Sequence, residues 1–116
     1  MSQLKSKLFG GDKRLGACLV DHAKHVTLGD GGPHVSKIQC AVLILEGGAI
    51  AGEELEKKIY GPTTAKAVLA YKARRKIINK SYQTKPDSIV GIMTMRSLDD
   101  EMATSERRDA VARIKT

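Results

Sequence analysis

Four side chains of the kinds that catalyse reactions or hold metals fall within eight positions: Cys18, Asp21, His22 and His25. On a helix, Cys18, His22 and His25 would share a face, because residues three and four apart are neighbours. Such a face could bind a metal through thiolate and imidazole. It could also pair a cysteine nucleophile with a histidine base. The rest of the chain completes neither chemistry. The run lies among glycines, no second ligand pair follows, and no H-E-x-x-H, G-x-S-x-G or Walker pattern occurs. The expectation is a protein with no catalytic residue, no metal and no cofactor. Cys18 and Cys40 form no C-x-x-C; their spacing leaves a disulfide open, and the preferred reading is two buried free thiols. His34 reads as a first-turn surface residue.

The next chemistry is charge. The formal net charge is +7, and residues 57–85 hold nine Lys or Arg and no Asp or Glu. Such a balance favours nucleic acid, anionic lipid or an acidic wall polymer. A small helical domain could neutralise phosphates and present a helix to the major groove. Stacking aromatics are scarce, however: of Phe9, Tyr60, Tyr71 and Tyr82, Tyr82 alone falls in an exposed loop. Nucleic acid is therefore the weakest of the readings. No apolar run approaches the roughly 20 residues of a membrane span. The first twenty residues lack an apolar h-region, so no secretory signal is expected. A protein of this kind is made in the cytoplasm and would reach the periplasm or wall only by signal-independent export or lysis.

The elements that would position these side chains read as helices. At 116 residues the chain fits one domain with one core. Residues 1–28, broken by Gly10-Gly11 and Gly16, read as an irregular leader, with a short helical turn near residues 14–26. Pro33 suits a first helical position, and Val35, Ile38, Val42 and Leu45 recur at helical spacing over residues 33–46. Gly47-Gly48 stops that helix. Residues 49–58 read as a loop or short acidic turn. Gly61-Pro62 opens a second helix, with Ala65, Val68, Leu69 and Tyr71 apolar. A third begins after Gly91, with Met93, Leu98 and Met102 on related faces. Residues 103–116 continue it as a helical tail. The fold class expected is all-α: a compact three-helix bundle with an irregular leader and a helical tail.

An internal echo joins the last two helices. "YGPTTAKAVL" and "VGIMTMRSLD" superpose with a shift of 30 residues, Gly61 onto Gly91 and Thr64 onto Thr94. Each copy has an apolar residue, a Gly that turns the chain into a helix, and a Thr able to bond first-turn backbone. With Gly32, Val35, Ile38 and Gln39 ahead of Tyr60-Gly61, Thr64, Ala67-Val68 and Tyr71-Lys72, and Asp87, Ile89-Val90-Gly91, Thr94 and Leu98 behind, the chain resembles the peptidoglycan-binding-like domain family over about residues 29–102. The chain departs from that pattern in two longer stretches, residues 47–59, which are also more acidic, and 76–88, and at particular residues. Lys57-Lys58 stand where the family often carries Asp-Gly, and Lys72 stands where it carries Gln.

The resemblance implies a three-helix, non-catalytic module that binds peptidoglycan or its fragments. It would serve a wall-active partner on another chain, a hydrolase or a secretion-apparatus protein. A glycan-peptide ligand needs a shallow groove, hydrogen bonds and an apolar platform. The residues this implies are Tyr60, Tyr82 and Gln83 near the loops, with Lys58, Lys72 and Arg75 facing stem carboxylates. Spacing equally allows Tyr60 and Tyr71 to belong to the core. The alternative is a protein-interaction adaptor on the same fold, and a further one is a basic nucleic-acid binder.

Overall fold

The computed structural model describes residues 4–78 and 86–115. Its regular elements are α1 (Lys13–Val20), a single 3-10 turn (His22–Lys24), α2 (Pro33–Leu45), α3 (Gly52–Lys57), α4 (Pro62–Arg75) and α5 (Ile92–Lys115). No strand forms among the described residues, and two isolated β-bridges, Val26 with Val90 and Gly31 with Ile59, are the extended pairings present. The all-α class holds, with five helices instead of three. The two additional ones are α3, in the stretch read as an acidic turn, and α1, in the stretch read as irregular.

The helix starts follow from local chemistry. Gly32 precedes α2 at φ 125°, with Pro33 at the first turn, a backbone conformation that favours glycine. Asp12 caps α1 by accepting a hydrogen bond from Leu15 N at 3.0 Å. Before α4, Gly61 is needed for space: a Cβ there would lie 2.5 Å from Glu54 Cδ. The Glu54 carboxylate occupies that space and accepts from the amides of Gly61 (3.1 Å), Thr63 (3.0 Å) and Thr64 (2.8 Å), and from Thr63 Oγ1 (2.6 Å). It thus satisfies amide donors that an α-helix leaves open at its N-terminus. Burial pushes the Glu54 carboxyl up, but the bonds from Thr63 and Thr64 outweigh it and bring the group down to about 2.

The core runs between α1, α2, α4 and the first half of α5, around Phe9, Leu15, Ile38, Val42, Tyr71, Met95 and Leu98, all fully buried. Phe9 and Leu15 come from the segment read as an irregular leader, as do Cys18, Leu19 and Val26. That reading is corrected by a clamp. Asp99 of α5, 3% exposed, accepts from the amides of Lys5 (2.8 Å) and Ser6 (2.9 Å). Glu106, seven residues on, accepts from Lys7 (2.8 Å) and Leu8 (3.1 Å). Two carboxylates on one helix face thus supply the hydrogen bonds that irregular backbone cannot make for itself.

Candidate functional site

Three segments meet at one joint. The stretch before α2 runs past the residues that precede α4 and α5. Gly29 N donates to Tyr60 O (2.9 Å), Tyr60 N to Asp30 O (2.8 Å) and Gly32 N to Lys58 O (2.9 Å). Val26 and Val90 exchange both backbone bonds, at 2.9 and 2.8 Å. The three motif glycines each then supply a first helical carbonyl: Gly32 to Val35, Gly61 to Ala65 and Gly91 to Met95. Val35, Ile38, Val68, Thr94 and Leu98 fill the core behind them. Gln39 ties α2 to α4, its Nε2 donating to Thr64 Oγ1 and Ile59 O, both at 3.0 Å. Its Oε1 is buried with no hydrogen-bond partner among the described groups.

The residues named as ligand contacts divide sharply. Tyr60 is fully buried and its hydroxyl donates to the Ser88 carbonyl. Burial moves that hydroxyl's ionisation well above the ordinary phenol range. Lys72 is 5% exposed, and its ammonium donates to Asp87 (2.6 Å) and the Ile89 carbonyl (2.7 Å). Arg75 grips Glu101 with two nitrogens (2.6 and 2.8 Å), reaches Glu46 (2.7 Å), and lies 3.8 Å over the Tyr71 ring. The Tyr71 hydroxyl bonds Ser97 and Glu101. The bidentate Arg75–Glu101 pair and the Lys72–Asp87 pair, each partly buried, are geometric fixtures. Tyr82 and Gln83 lie outside the described residues.

Lys58 is different. It closes α3 in the left-handed conformation, at φ 57°, and is exposed. Beside it on the joint's outer rim is Ile59, 41% exposed; Leu28, 58% exposed, precedes Gly29 on the facing segment. Across the rim is Gly31, whose missing Cβ would stand 3.9 Å from Ile59 Cγ1. The rim thus offers the Ile59 side chain as a small apolar shelf next to the exposed Lys58.

No family model, curated protein or solved structure matches the chain. Function is argued from the site's own chemistry. At the Cys-His run, Cys18 faces the core and its thiol reaches the Val90 carbonyl at 3.5 Å. Burial pushes it up to about 11, so it stays protonated near neutral pH and is a poor nucleophile. Cys40, read as buried, is exposed, on the outer side of α2. Among the described residues no group of three or more His, Cys, Asp or Glu could hold a metal ion, and no helix is long and apolar enough to cross a membrane.

The residues that sequence reasoning missed are the anions: Glu46, Glu54, Asp99, Glu101 and Glu106. Asp99 carried a readable signal. It lies next to Leu98 and three residues before Met102, within the face that packs inward, where a carboxylate must find donors.

Proposed function

We propose that the chain is a non-catalytic module that binds peptidoglycan or its fragments and so assists a wall-active partner carried on another chain. The observation that carries this reading is the joint. The three motif openings that make the chain resemble wall-binding modules are laced together there, and Lys58 and Ile59 remain exposed on its rim. The exposed Ile59 side chain suits the apolar face of a sugar. The Lys58 ammonium suits a stem-peptide carboxylate through a charge-assisted bond. A single exposed charge contact is weak, so retention is expected at low salt and high polymer concentration. Tyr60, Lys72 and Arg75 enter this reading as supports that hold the rim in shape.

Retention on purified insoluble peptidoglycan tests it. The chain should sediment with the polymer at low salt, and Lys58→Glu should release it without altering the melting curve. Full recovery of the unmodified chain in the supernatant at low salt overturns the proposal.

A specific observation favours the adaptor as second reading: the distal half of α5 projects beyond the core with Val111 and Ile114 exposed. Nucleic-acid binding is weakened because two cations of the basic block, Lys72 and Arg75, are committed to internal carboxylates. A mobility shift on DNA with a steep salt slope would revive it.

A further inference from the structure

Beyond Glu106, every residue of α5 from Arg107 to Ile114 is exposed. Such an overhang gains only helix propagation, which is near neutral per residue. Its outer face is not uniformly polar. Val111 is 49% and Ile114 84% exposed. The hollow along this face, about 430 Å³, is lined by Thr104, Arg107, Arg108, Val111 and Ala112. Thr104 and Arg108 also line a second groove of about 460 Å³, whose far wall is Ile44 and Leu45 of α2. The two hollows share Thr104 and Arg108 and so form one continuous strip, walled on both sides only at its α2 end. It runs from Ile44, 55% exposed, along roughly 20 Å of α5.

The strip's charge identifies its occupant. At the α2 end, Glu46 and Glu101 are held by Arg75, and Asp100 faces Lys5 at 3.3 Å. Arg107 and Arg108 stand exposed beside the apolar anchors. A second copy of this chain fits badly. The antiparallel register that sets Val111 of one copy against Thr104 of the other brings Arg107 and Arg108 of both copies to the two-fold axis, and a parallel register stacks arginine on arginine. A bilayer fits badly too, because the distal turns expose only Val111 and Ile114 as large apolar side chains and lack the Trp, Phe and Leu of interfacial helices.

The geometry points to a docking site for an acidic amphipathic helix of another protein, its apolar side chains seated against Ile44, Val111 and Ile114 and its carboxylates on Arg107 and Arg108. Helix-in-groove recognition has this form, with anchors three and four residues apart and charge selecting the partner. The site is separate from the wall-binding rim and stands or falls independently of it.

The probe is a labelled amphipathic peptide about three heptads long, with Leu anchors and Glu flanks, titrated against the full chain by fluorescence anisotropy. A twin carrying Lys for Glu is the control. The acidic peptide should bind and the basic one should not. Val111→Ser with Ile114→Ser should weaken binding by at least about tenfold, and Arg107→Glu with Arg108→Glu should reverse the preference between peptides. Both variants alter exposed residues and should keep the parent melting curve and the parent retention on peptidoglycan. Equal binding of the two peptides, or affinity unmoved by the serine pair, overturns the proposal. So does a dimer that the serine pair dissolves, or sedimentation with phosphatidylglycerol vesicles in place of peptide binding.

Discussion

Arg75 on α4 lies over the Tyr71 ring and donates to Glu46 and Glu101, while Arg107 and Arg108 on α5 stand in water beside Val111. The two helices carry similar clusters of positive charge and use them differently. On α4, Lys72 and Arg75 are internal ties whose carboxylates come from α2, α5 and the segment before α5. On distal α5 the cations flank an unfilled apolar strip. A count of Lys and Arg along the chain cannot separate the two cases, because what separates them is where the anions are. The lone Lys58 on the joint's rim belongs with the second class. Charge placed on a saturated helix should govern stability, and charge placed on an open one should govern binding.

The largest expected effect breaks the α4 side of that contrast. Lys72→Glu sets a carboxylate against Asp87 and the Ile89 carbonyl in a place where the ammonium is 7% exposed. Losing a buried pair in this way costs about 3–4 kcal/mol, read as a lower urea midpoint. Lys72→Met keeps the stem but takes the ammonium away from Asp87, which still accepts from the Ile89 amide at 3.1 Å, and costs about 2 kcal/mol. A Lys72→Glu chain that melts like the parent would return this lysine to the ligand-facing class.

Asp99→Ala comes next. It removes the acceptor for two backbone amides, that of Ser6 buried, at a cost of about 2–3 kcal/mol. Hydrogen exchange should locate the damage: residues 5–8 lose protection while α2 and α4 keep theirs.

That clamp shows where legibility ended. The helices α2 and α4 and the start of α5 were readable because their signals are local: Pro33 and Pro62 at first turns, Gly47 and Gly91 at boundaries, and apolar residues at helical spacing. The glycine-rich N-terminal segment has no such pattern. Its amides are satisfied by carboxylates 93 to 99 positions away, and no short window of sequence contains both halves of those bonds. The candidate site divided the same way. Lys58 was named through the family resemblance, and the structure leaves it exposed at the end of α3. Lys72 and Arg75 looked equally available because Asp87, Glu101 and Glu46 lie 15 to 29 positions away. Glu54 was hidden by its neighbours Glu53 and Glu56, which look identical in sequence and are exposed.

Glu54 supplies the next two tests. Gly61→Ala forces a Cβ into the Glu54 carboxylate, and Glu54→Ala removes the carboxylate, so each should cost about 1–2 kcal/mol, as cap losses do. The two should not add, since the second change removes what the first displaces. In the folded chain Glu54 titrates near 2, below an ordinary glutamate near about 4.3. An unfolded chain therefore binds the proton first as the pH falls. The carboxylate's contribution is complete above about pH 5 and is lost between there and about pH 2. Glu46 is lowered by its bond to Arg75, and Asp12, where burial pushes up, is lowered by the Leu15 amide and Lys37; both act in the same direction. Stability measured by urea should fall through this window, and Glu54→Gln should flatten the fall. An unchanged slope would remove Glu54 from the cap.

The smallest effect on stability carries the most about function. Lys58→Glu changes an exposed side chain and should move the urea midpoint by less than about 0.5 kcal/mol. If the rim binds stem carboxylates, the same change replaces attraction with repulsion at every repeat of the polymer. Retention should then be lost, and added salt should release the parent chain in the same way. Ile59→Ser should weaken retention less and without salt dependence, because it removes shelf and not charge. Two variants that fold alike but differ in salt response would show charge and apolar surface acting as separate parts of one site. A Lys58→Glu chain retained as well as the parent would leave α5's strip as the surface through which the protein acts.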